Sequence, residues 1–151
     1  MALEHDIKQE KFANEHEKVA VNVLYTSSWL HNLNLNRLKP YGITPEQFNV
    51  LRILRGSWPK PMMLSDISGR MIDKSSNATR LVEKLRLKGF LKRDVCPDNR
   101  RQVDIVITEK GLNVLKKVDQ DSDTWIAMLK TITKSEAVEL NRILDKLRRA
   151  K

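Results

Sequence analysis

Residues 90–108, FLKRDVCPDNRRQVDIVIT, constrain the chain most, because they carry its two strand-like runs while the rest reads as helix. Val103, Ile105 and Ile107 fall on one side of the second run, and Gln102, Asp104 and Thr108 on the other. Such period-two alternation marks a half-buried strand. The runs FLKRDV and RQVDIVIT are joined by CPDNR, a polar turn holding Pro97, Asp98 and Asn99. Arg100 and Arg101 follow at once, which places both at the tip of the expected hairpin. A solvated turn has no need of adjacent arginines, whereas a loop that meets a phosphate backbone does.

The segments around this hairpin have helical spacing. Residues 6 to about 37 read as one long helix, broken by KPYG at Pro40 and Gly42. In ITPEQFNVLRILRG, Thr44 is the N-cap, Pro45 the first helical residue, and Gln47 completes a capping box. Phe48, Leu51 and Leu54 form its buried stripe, with Gly56 expected to end it. A short helix carries Leu64, Ile67 and Met71 on one face. The next opens around Ser75, with Ala78, Leu81, Val82 and Leu85 inward and Gly89 as its stop. After the hairpin, Thr108 caps a fifth helix whose Leu112, Leu115, Trp125, Ile126 and Leu129 are expected to be buried. A second capping box, Thr133 to Glu136, opens a last helix with Ala137, Leu140, Ile143, Leu144 and Leu147 inward. The expected architecture is mainly α with a small β-hairpin wing. Two short helices, a third helix and a hairpin make a winged helix-turn-helix.

Charge narrows the function. The chain of 151 residues, read as one domain, carries 28 Lys or Arg against 19 Asp or Glu, a net +9. Such a surface attracts polyanions, nucleic acid or an anionic membrane first. From Arg70 to Lys110 there are eleven basic against six acidic residues, and from Lys130 to Lys151 seven against three. No run approaches the roughly 18 apolar residues of a membrane span, and the first residues lack a signal-peptide core. With the single cysteine, Cys96, these features point to a cytoplasmic protein without membrane association.

The helix opening at Ser75 presents Ser75, Ser76, Asn77, Thr79 and Arg80 outward, continuing through Lys84 and Lys88. Short hydroxyl and amide side chains let a backbone approach a duplex. Asn suits adenine, Arg suits guanine, and Ser or Thr suits base or phosphate. The plainer account is that Ser, Ser and Asn are ordinary capping residues on a solvated face. Position between a short helix and a basic hairpin favours DNA.

The motifs together resemble the MarR family of bacterial transcription regulators. Ser76, Thr79–Val82, Lys88–Gly89, Asp98 with Arg100, and Thr108 with Gly111 follow the family's pattern. ITPEQFNVLRIL also resembles its second helix. One departure is Lys74, where the family often has an acidic residue, so Asp73 is an alternative cap and the first turn's register stays open by about one residue. The resemblance implies a homodimer held by residues of about 6–37 and 109–149, with about 44–110 as the DNA-binding lobe. It implies double-stranded DNA as partner, the recognition helix in the major groove and the wing in the minor groove of a near-palindromic operator. Carried over, Arg100 enters the minor groove, Asp98 braces it, and Arg101 meets the adjacent backbone. A narrow minor groove concentrates the negative potential that attracts arginine.

The resemblance also implies, for many members, release by a small aromatic or phenolic effector. Tyr25, Trp29, His31, Trp58 and Met62 are the candidates to line such a cleft, with core or interface packing the plainer account of each. Cys96 is a candidate redox residue because the cationic Arg93 and Arg100 lie near it in sequence; a passive wing cysteine is the alternative. No cofactor or metal site is expected. His5, His16 and His31 are eleven and fifteen residues apart, not the i, i+4 spacing that chelates on one helix face. No nucleophile motif, phosphate loop or catalytic carboxylate pair is evident, so an enzyme is not expected. The competing reading is a winged-helix module for protein–protein assembly.

Overall fold

The structure, a computed structural model, describes residues 2–149, apart from the side chains of Ala2 and Arg100. Two compact units divide the chain, residues 1–112 and 113–151.

The first unit begins with α1 (Ala2–Ile7) and α2 (Glu15–Leu38), correcting the single helix expected from residue 6 onward. Lys8 turns to a left-handed φ of 54°. Asn14 then restarts the helix, its side-chain oxygen accepting from the His16 and Glu17 N–H groups at 3.0 Å each. An Asn at this position satisfies donors that the first turn leaves unpaired. A 3₁₀ turn over Lys39–Tyr41 closes α2, and Gly42 reverses the chain at φ 71°, where a side chain would be strained.

Helix α3 (Pro45–Ser57) opens with the expected capping box. Thr44 Oγ1 accepts from Gln47 N–H, and Thr44 N–H donates to Gln47 Oε1, both at 3.2 Å. Thr44→Ala should lower stability by about 1 kcal/mol, measured as a shift in denaturation midpoint at unchanged slope. Gly56 does not end this helix. It lies in the last turn, and the helix stops before Trp58, which Pro59 forces into an extended conformation. Phe48, Leu51 and Leu54 are buried, as are Ile67 of α4 (Leu64–Arg70) and Val82 and Leu85 of α5 (Ala78–Leu87). These three helices pack on one another around that core. Gly89, at φ 77°, stops α5. Phe90 N–H then reaches back to the Leu85 carbonyl and Gly89 N–H to that of Arg86, satisfying carbonyls at the helix end.

Strands β1 (Leu91–Cys96) and β2 (Asn99–Ile107) form an antiparallel pair. Met62 adds a bridge on the far side of β2, exchanging hydrogen bonds with Ile105 at 2.8 and 2.9 Å. The expected inward faces of Ile105 and Ile107 are buried, and Val103 is half-buried. The chain then turns tightly into α6 (Glu109–Gln120). Thr108 Oγ1 donates to the Gly89 carbonyl at 2.7 Å and accepts from Gly111 N–H at 3.2 Å. Gly111 is buried, and a Cβ there would stand 2.3 Å from the Phe90 carbonyl oxygen.

In the second unit the helix expected to run on through Leu129 is interrupted at Asp121, giving α7 (Ser122–Leu129) after α6. Helix α8 (Lys134–Arg148) opens with its expected Thr133–Glu136 capping box. Leu115 is buried. Ile126, Leu129, Leu140, Ile143 and Leu147 are not buried within this chain; Leu140 keeps 48% of its surface exposed. Helices this short have one apolar side each and need an opposing surface to bury it.

Candidate nucleic-acid interface

The residues leading into α5 are organised by hydrogen bonds rather than by helix. The expected opening at Ser75 is corrected: Ser75 and Ser76 precede the helix, Asn77 is its N-cap, and Ala78 is its first residue. Asn77 Oδ1 accepts from Arg80 N–H at 3.0 Å. Asp73 does not cap the helix. Its Oδ1 accepts from Ser75 N–H at 2.9 Å and from the Ser75 hydroxyl at 2.6 Å. The Ser75 hydroxyl, then Ser75 N–H and the Ser76 hydroxyl, hold the Asp73 carboxyl below the usual aspartate range. A depressed carboxyl stabilises the fold above its ordinary value and loses that contribution as pH falls through the lowered one. From the neighbouring helix, Asn49 Oδ1 accepts from Ile72 N–H at 2.9 Å and fixes where this turn begins.

Beyond the cap, α5 separates its basic residues by partner. Arg86 is bound to Glu83 by two hydrogen bonds, at 3.0 and 2.7 Å, and Arg93 of β1 lies 3.6 Å from the same carboxylate. Lys88 is exposed, as expected, but its ammonium is held within the fold. Its Nζ donates to the Gly42 carbonyl at 2.6 Å and to Gln47 Oε1 at 3.1 Å. Thr79, Arg80 and Lys84 are exposed. Among the described residues, the side chains of Arg80 and Lys84 make no hydrogen bond or ion pair.

The wing differs from its expected shape. Cys96 pairs with Asn99, so Pro97 and Asp98 alone form the tip. Arg100 and Arg101 belong to β2. The ladder then jumps from Cys96–Asn99 to Val95–Val103, leaving Arg100–Gln102 without partners of their own on β1. Such a bulge bends a strand and re-aims its side chains. Asn99 Oδ1 accepts from Arg101 N–H at 3.1 Å and holds the bulge. Arg101 is exposed. The minor-groove and bracing roles expected of Arg100 and Asp98 rest on the Arg100 side chain, which lies outside the described residues. Cys96 is half-buried beside the tip.

Helix and wing meet at an open cavity of about 300 Å³, lined among others by Thr79 and Val82 of α5, Leu64 of α4, and Arg93, Arg101 and Gln102 of the hairpin. The residues expected to line an effector cleft are not in it. Met62 is buried beside β2, Trp58 is 52% exposed, and Tyr25 and Trp29 are exposed on α2. His31 Nδ1 lies 3.7 Å from Glu46. Among the described residues no group of three or more His, Cys, Asp or Glu could hold a metal ion, and no helix is long and apolar enough to cross a membrane.

A three-helix core with its last helix outward and a hairpin beside it defines a winged helix-turn-helix protein. A sequence profile of the MarR family matches residues 43–103. The chain is 30% identical over 110 residues to the HTH-type transcriptional regulator MhqR of Bacillus subtilis (strain 168), covering 72% of this chain and 74% of that one. The chain belongs to the MarR family. It is also 37% identical over 82 residues to the HTH-type transcriptional regulator YkoM of the same organism, covering 53% of this chain and about half, 51%, of that relative. These relatives are named as regulators of transcription, not as enzymes. Among solved structures, the organohalide-sensing regulator RdhR bound to 2,4-dichlorophenol has the same fold, at TM-score 0.82 and 20% identity over 93% of this chain and 85% of that one. So does a mutant MarR from E. coli complexed with operator DNA, at TM-score 0.78 and 22% identity over 91% and 99%.

Proposed function

We propose that this chain is a dimeric, cytoplasmic repressor that binds a near-palindromic operator in double-stranded DNA. Helix α5 enters the major groove, and the wing enters the minor groove. The observation that carries this reading is the convergence of Thr79 of the recognition helix and Arg101 of the wing on one cavity, beside the unpaired Arg80 and Lys84. Family membership and the likeness to an operator-bound MarR support it. In this reading residues of about 44–110 are the DNA-binding lobe and those of about 6–37 and 109–149 the dimerisation helices of one regulator. The exposed apolar sides of α7 and α8 are what a two-fold partner would cover.

Base contacts come from Ser75, Ser76, Asn77, Thr79 and Arg80, and backbone contacts from Lys84 and Arg101. Arg100 enters the minor groove with Asp98 as its brace. Arg100→Ala should weaken operator binding about 10- to 100-fold while dimerisation and Tm stay as in the wild type. Unchanged affinity would remove Arg100 from the interface.

The reading extends to release by a small aromatic or phenolic molecule, supported by the likeness to RdhR with its bound dichlorophenol. Tyr25, Trp29, His31, Trp58 and Met62 do not line the cavity between helix and wing, and in this reading they form the effector site together with the second copy. Titrating 2,4-dichlorophenol into the protein–operator complex tests this; a complex that persists at saturation excludes that molecule as effector.

A further inference from the structure

The turn entering α5 has a fixed hydrogen-bond polarity, and it bears on which bases the turn accepts. A serine hydroxyl has one proton to give and two lone pairs to receive with. The Ser75 proton is committed to Asp73 Oδ1 at 2.6 Å, and the same oxygen holds Ser75 N–H at 2.9 Å. Ser75 is exposed, so what it turns outward is an acceptor. Asn77 is committed in the opposite sense. Its oxygen faces a backbone N–H, that of Arg80, which fixes the amide's orientation, because an N–H needs an acceptor. What remains outward on Asn77 is the NH₂ group, a donor. The two-point contact that Asn makes with adenine requires both ends of the amide. The Asp73 carboxylate meanwhile sets a negative charge under the turn, unfavourable to a phosphate.

Resting on the DNA-binding reading above, we propose that the turn at Asp73–Asn77 reads the operator with fixed polarity. Ser75 accepts from a base amino group, cytosine N4 or adenine N6. Asn77 donates to a base acceptor such as guanine O6 or N7. Asp73 touches no base. It is a positioning residue that holds the Ser75 proton away from the DNA.

The test selects bound sequences from random duplexes with the full chain, Asp73→Asn and Asp73→Ala. Both variants remove the same charge, but only asparagine keeps an acceptor for the Ser75 hydroxyl. Wild type and Asp73→Asn are expected to enrich the same half-site, with discrimination of roughly 5- to 100-fold at the pair facing Ser75. Asp73→Ala is expected to lose discrimination at that pair alone, as is Ser75→Ala, which serves if Asp73→Ala does not fold. Asn77→Asp keeps the capping oxygen and removes the donor, so its profile should change at a different pair with Tm maintained. If Asp73→Ala and Ser75→Ala both retain the wild-type profile at every position, the assigned polarity is overturned while DNA binding stands. If the wild type enriches no sequence, the DNA-binding reading fails and this inference fails with it.

Discussion

Raising the salt concentration from 50 to 200 mM is expected to weaken operator binding by about 10³- to 10⁵-fold. That is the loss for a protein whose Lys and Arg side chains neutralise six to ten phosphates and so release condensed counterions. The net charge of +9 does not by itself require this, because not all of it is available. Arg86 and Arg93 share Glu83, and Lys88 is spent on Gly42 and Gln47. Lys84 and Arg101 at the backbone, with Arg80 and Arg100 in the grooves, remain on the proposed DNA face, four cations doubled by a second copy. The slope of log affinity against log salt counts these contacts. Lys84→Ala should make it shallower by about one unit per site, whereas Arg86→Ala should leave it nearly unchanged. Binding to a partner that is insensitive to salt would instead favour an assembly module.

Gly111→Ala is expected to cost about 3 kcal/mol, the upper part of the range for overpacking a close-packed site. The added Cβ would meet the Phe90 carbonyl oxygen at 2.3 Å and Ile107 Cγ1 at 2.7 Å. A carbonyl cannot swing aside as a flexible side-chain end can. Helix α6 would have to move off the hairpin, breaking the Thr108 bonds to Gly89 and Gly111. Chemical denaturation of wild type and variant at equal protein concentration measures the cost. A change below 0.5 kcal/mol, an ordinary surface effect, would mean that this contact is looser than described.

Features governed by neighbours in sequence were legible. The Thr44 and Thr133 capping boxes, the Gly89 stop and the burial of Leu51, Leu54, Val82 and Leu85 all follow from rules spanning four residues or fewer. The opening of α5 was not legible, because Ser75, Ser76 and Asn77 are three consecutive residues that can each cap a helix. The choice depends on Asp73 taking the Ser75 hydroxyl and N–H and on Asn49, 23 residues away, holding Ile72. The place of the wing arginines is not legible either, because a loop of five residues and a two-residue turn with a bulge look alike in sequence. The apolar residues of α7 and α8 carry a clean helical period, but a period cannot say whether the surface they face belongs to the same chain. Lys88 looked like one more outward cation, and its partner Gly42 lies 46 residues earlier.

The hairpin is also an edge problem. A two-stranded sheet offers unpaired backbone groups along both sides, which another chain's strand can join. Met62 occupies part of the β2 side at Ile105. Among the described residues no strand pairs with the outer side of β1, and Lys92, Arg93 and Asp94 are exposed along that strand. Charges of both signs at successive positions make a poor template for strand addition. Exchanging these charges for apolar residues would make the hairpin a better template for strand addition and favour aggregation.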